Sequence, residues 1–162
     1  MNKKNSKPDF QSLTWGGIAL LLVSAAGLCF EINLTRLFSV SQFYHFAFMV
    51  VSIALLGYGV SGTYLAIKKW KNTKVDGYNL ALLAACSGAC MLGAFFLVNT
   101  LPFDSFSMVV DPTQILILLL HYAALSSPFF FSGMIVSLML RRYSASSGKV
   151  YALNLAGSAG GC

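Results

Sequence analysis

The chain has 162 residues, of which 57% are hydrophobic and 10% charged. Soluble domains carry about 25% charged residues, so this composition, with a mean hydropathy of +0.72, excludes a water-soluble domain of ordinary make-up. A net charge of +6 would suggest nucleic acid in a soluble protein. Here the charges are confined to short segments between apolar runs, where they report topology instead, and nucleic acid is not an expected partner.

In chain order, residues 1–12 read as a polar, basic tail, MNKKNSKPDFQS, retained on the cytoplasmic side; the apolar run after it is too long for the core of a signal peptide. Residues 13–162 read as one transmembrane helical domain. Its spans are predicted at about 15–37, 46–67, 78–98 and 113–140, with the start of a fifth at 150–162. Trp15 opens the first span, where an interfacial aromatic is expected. Each of the four runs approaches the ~20 apolar residues needed to cross a bilayer. The fifth run, of about twelve, falls short of that length and reads as the entry to a further span of a longer chain. The predicted fold is an all-α integral membrane helical bundle.

Charge alternates along this pattern. Lys3, Lys4 and Lys7 precede the first span; Lys68, Lys69, Lys71 and Lys74 follow the second; Arg141, Arg142 and Lys149 follow the fourth. The third connection carries Asp104 and Asp111, and the first no full charge beyond Arg36 at its edge. The excess of Lys and Arg on cytoplasmic loops places the N-terminus in the cytoplasm, with the first and third connections outside.

Four groups attract a functional reading. Glu31 and Arg36 lie in LCFEINLTRLFSV, towards the outer end of the first span. A charge near the bilayer centre costs at least ~2.5–3.5 kcal/mol on insertion scales, and a spacing of five puts the two about 140° apart on a helix. Arg36 can snorkel; Glu31 needs a partner or a polar cavity, with Tyr44, His45 and Ser52 the nearest options on the second span. The alternatives are a structural clamp between spans one and two or a substrate or ion site. His45 reads as an interfacial residue or as that partner. His121, inside the fourth span, reads as an interhelical hydrogen-bonding group or as a functional imidazole. Pro128 frees a backbone carbonyl near Ala124.

GYGVSG at 57–62 matches G-x-G-x-x-G, but a dinucleotide fingerprint needs a strand before it and a helix opening after it, and here it sits within one apolar run. Gly57, Gly59 and Gly62 are expected to let helices approach closely, as are Gly157 and Gly161 in the final run. Cys29, Cys86, Cys90 and Cys162 read as small buried packing residues, with no metal site and no cofactor expected in these residues.

The series Glu31-x-x-x-Thr35-Arg36, then YHFAFMVVSIALLGYGVSGTYLA at 44–66 and KVYALNLAGSAGGC at 149–162, resembles the N-terminal membrane domain of bacterial spermidine-synthase-like membrane proteins. Tyr151, Asn154, Gly157 and Gly161 match that family's Y-x-x-N/D-x-x-G-x-x-x-G entry into a later span. The resemblance implies a cytosolic Rossmann-like domain, related to aminopropyltransferases and S-adenosylmethionine-dependent methyltransferases, in the C-terminal part of the same chain. It carries no catalytic residue into these 162 positions. The alternatives are a small transporter or channel subunit with Glu31, Arg36 and His121 lining a path, or a structural membrane subunit. Expected partners are the lipid bilayer, the rest of the same chain and, as an open alternative, a further copy of itself.

Overall fold

The computed structural model describes residues 10–41, 45–67, 77–101 and 113–162, with side chains described at 14–40 and from 48 onward within those ranges. The chain forms helices α1 (Phe10–Ser41), α2 (His45–Ile67), α3 (Gly77–Thr100), α4 (Thr113–Arg142) and, after a 3-10 turn at Ser144–Ser146, α5 (Ser147–Gly160). There is no strand among the described residues. Four helices are long and apolar enough to cross a membrane, as their uninterrupted apolar runs dictate, and the protein is a multi-pass membrane protein. At 14 residues, α5 rises only about 21 Å.

The helices agree with the predicted spans, apart from α1, which begins five residues before Trp15 and runs on to Ser41. Contacts between the helices fix their directions. Gly16 lies against Met139 and Tyr143 at one end of α1, and Gly27 faces Ser132 further along, so α1 and α4 are antiparallel. Gly57 abuts Ser126 and Phe129 while Ser61 abuts Gly133, so α2 and α4 are parallel. Gly17, Leu21 and Ala25 meet Leu153, Gly157 and Gly161 in step, so α1 and α5 are also parallel. The chain therefore runs up, down, up, down, up, with α4 at the centre.

Two apolar clusters form the core. Leu34, Phe38, Val50, Ile53, Ala94 and Leu125 fill one half of the bundle. Leu20, Ile135, Met139, Tyr143 and Val150 fill the other. Between them Phe129 and Pro128 are buried together with four hydroxyls, Ser24, Ser61, Ser87 and Ser132. Every buried side-chain nitrogen and oxygen among the described residues has a hydrogen-bond partner, as a site without water requires.

The small residues divide by face. A methyl group at Gly57 would fall 2.7 Å from both the Phe129 Cβ and the Ser126 carbonyl; one at Gly157 would strike the Leu21 backbone, and one at Gly161 the Ala25 backbone. Gly59 and Gly62 are a correction to the sequence reading: nothing among the described residues lies within 4 Å of a Cβ at either. The reason is angular, since at 3.6 residues per turn Gly59 and Gly62 point about 200° and 140° away from Gly57, whereas Ser61 lies about 40° from it and is buried. The cysteines also differ from expectation. Cys29 and Cys162 are exposed and Cys86 and Cys90 only half-buried, all as free thiols, so they lie towards the bundle's outer surface.

Gly157→Leu and Gly57→Leu should each lower thermal stability in detergent, by ~1–3 kcal/mol or more, because overpacking forces backbone movement. Gly59→Leu should leave the unfolding midpoint unchanged. Equal loss in all three would show that α2 is packed on both faces.

Candidate functional site

The groups singled out in the sequence lie at different depths. The apolar part of α1 runs Thr14–Val40, so Glu31 sits four residues past its midpoint and nine before its end. It is half-buried, and its backbone carbonyl accepts the Thr35 hydroxyl at 2.8 Å. Asn33 turns back on its own helix, donating to the Cys29 carbonyl at 2.8 Å. Arg36 is exposed, on a different face from Glu31. The side chain of His45 and the whole of Tyr44 lie outside the described residues. Ser52 is exposed and donates to the Phe48 carbonyl at 3.0 Å, so it does not serve Glu31.

Tyr58 of α2, which the sequence reading did not consider, points towards α1 and α4. Its ring packs against Phe129, centroids 5.9 Å apart, and Phe129 packs in turn against Phe30 at 6.0 Å. Gly27 leaves room for the Tyr58 hydroxyl: a Cβ there would lie 3.3 Å from that oxygen and 4.0 Å from Ser132 Oγ. The Tyr58 hydroxyl thus lies beside the layer of buried serines, and Glu31 follows Gly27 by one turn of α1.

That layer joins the helices through hydroxyls. Ser132 Oγ lies 3.0 Å from Ser87 Oγ, and Ser87 Oγ lies 3.2 Å from the Pro128 carbonyl. The carbonyl can only accept, so Ser87 donates to it and receives from Ser132. Ser24 Oγ is 2.8 Å from the Leu20 carbonyl and 2.8 Å from Asn154 Oδ1; with one proton it donates to one of them at a time, tying α1 to α5. Pro128 lacks the N–H that would have paired with Ala124, and the Ser127 hydroxyl takes that carbonyl at 2.8 Å.

His121 belongs to another level. It precedes Phe129 by eight residues, about 12 Å along α4 at 1.5 Å per residue. It is buried and its Nδ1 lies 2.8 Å from the Ile117 carbonyl; because a carbonyl only accepts, Nδ1 carries the proton. Glu31 adjoins the level where Phe30 meets Phe129, so His121 lies further towards the Arg36 end of α1 than Glu31 does. Among the described residues no group of three His, Cys, Asp or Glu side chains is placed to hold a metal ion. The arrangement can hold helices in register through its hydroxyls. Ser61 was read with its neighbouring glycines as a small packing residue; Ser24, Ser87 and Ser132 escaped the sequence reading, and the one available signal was their coincidence in depth once the spans were laid antiparallel.

Compared with known proteins, the chain matches no protein-family model, no curated protein and no solved structure.

If Glu31 and Tyr58 act on one another, Glu31→Gln and Tyr58→Phe will not be additive. A double-mutant cycle in detergent should give a coupling of at least ~0.5 kcal/mol, the range seen for residues in contact. Additivity within ~0.3 kcal/mol would separate the two groups.

Proposed function

We propose that these residues form the membrane domain of a spermidine-synthase-like protein, whose Rossmann-like domain, elsewhere in the polypeptide, carries out aminopropyl or methyl transfer from an S-adenosylmethionine-type donor. One observation supports this reading above the others. The positions that carry the resemblance at 151–161 are not scattered: Asn154 bonds Ser24, and Gly157 and Gly161 seat on the backbone of Leu21 and Ala25. A motif of that form is what a helix needs to dock in parallel on α1. On this reading the bundle anchors and orients a catalytic domain at the membrane surface. It does not need a path through the bundle, and the offset in depth between Glu31 and His121 accords with that.

The same reading sets the N-terminus and the 68–77 connection on the cytoplasmic face of a bacterial inner membrane, which supports a cytosolic transferase domain. The basis is the distribution of Lys and Arg.

Two measurements test this. In a Cys-free background, Asn72→Cys should react with a membrane-impermeant maleimide only after the cells are opened; labelling in intact cells would reverse the topology. Membranes carrying the uninterrupted gene product should release methylthioadenosine from decarboxylated S-adenosylmethionine with a diamine, or S-adenosylhomocysteine from S-adenosylmethionine. A product that yields neither would leave the transferase reading without support.

A further inference from the structure

We propose that the groove between α1 and α3, at the end of the bundle that carries Arg142, binds one anionic phospholipid from the adjoining leaflet. The inference is independent of the transferase reading and rests on shape and charge.

Both α1 and α3 pack on α4, but they scarcely meet one another. Between them lies a cavity of about 350 Å³, at the low end of the ~300–1,000 Å³ typical of ligand pockets. Small residues hollow it out: Gly16 and Ala19 on α1, Ala81 and Ala84 on α3. Ile135 and Met139 of α4 contribute to its lining. Along α1 it extends from Trp15 to Val23, eight residues or about 12 Å. A trough of that depth, apolar along its length and open to the side, suits an acyl chain, which hydrocarbon surroundings would supply.

The end of the trough is different in kind. Arg142 lines it, with its guanidinium carbon 5.6 Å from the centre of the Tyr143 ring. Trp15, exposed beside it, is the residue type that settles at headgroup level. Arg141 and Lys149 are exposed at the same end. An acyl chain lying in the trough therefore brings its headgroup to a guanidinium within a basic surround. A zwitterionic headgroup gains little there, whereas a net negative one gains roughly a factor of five from the Arg142 guanidinium at the mouth of the trough.

The test uses the full chain with Trp70→Phe, so that Trp15 is the sole indole, reconstituted in liposomes. Phosphatidylglycerol or phosphatidylcholine with brominated acyl chains is titrated in, and quenching of Trp15 gives their relative affinity. Phosphatidylglycerol should bind about fivefold more tightly. Arg142→Gln should bring the ratio close to one, and Arg142→Lys should keep most of it. Ala81→Phe, at an exposed position, should fill the trough and abolish the preference with the unfolding midpoint unchanged. A ratio near one in the parent overturns the proposal. So does a preference that survives Ala81→Phe, which would mark diffuse attraction of annular lipid, or one that Arg142→Lys removes.

Discussion

A backbone carbonyl that loses its amide partner inside hydrocarbon has no water to turn to, and the helix at the centre of this bundle carries one such carbonyl. Pro128 sits within α4, the helix that touches all the others. It cannot donate to Ala124, and the hydroxyl of the preceding residue, Ser127, does so instead. One residue further on, the Pro128 carbonyl takes a second hydrogen bond from Ser87 of α3, which is itself bonded to Ser132. The helix continues through the proline to Arg142, and the polar layer that holds α3 to it is built from the same few residues.

Association of the remaining helices follows from the lack of a hydrophobic driving force between apolar surfaces in lipid. Close approach and a few hydrogen bonds must supply it. The α2–α4 seam uses Gly57 and Ser61 against Phe129 and Gly133. The α1–α5 seam uses Gly157 and Gly161 against the backbone of Leu21 and Ala25, with Ser24 and Asn154 alongside. In each seam small residues recur every fourth position, so contacts stay on one face of each helix. The apolar clusters on either side of the hydroxyl layer then fill the space that these approaches leave.

The spans were legible in the sequence because length and hydropathy are properties of a single helix. The Gly157–Gly161 face was legible too, since a pair four apart defines one side without ambiguity. Gly57, Gly59 and Gly62 were not resolved, because three glycines within six residues point in different directions and only tertiary structure says which direction holds a neighbour. Glu31 was recognised as needing company, but its partners were sought at the mouth of α2, on the premise that a charge belongs near the surface. Tyr58, a long side chain starting deeper in α2, carries its hydroxyl to Gly27, one turn from Glu31 on α1. The buried serines other than Ser61 gave no local signal: those that back-bond to a carbonyl one turn earlier, such as Ser24 to Leu20, would do so in any apolar helix.

The parallel docking of α5 on α1 has a consequence in time. Ser24 and Asn154 are 130 residues apart, and chains are synthesised at roughly 5–20 residues per second, so about 6–26 s separate their appearance. During that interval α1 is already in the bilayer with the flank bearing Gly17, Leu21 and Ala25 uncovered. The first helix made is thus among the last to be completed, and a ribosome stalled anywhere between α4 and α5 leaves a nascent bundle with its α1 flank still facing lipid.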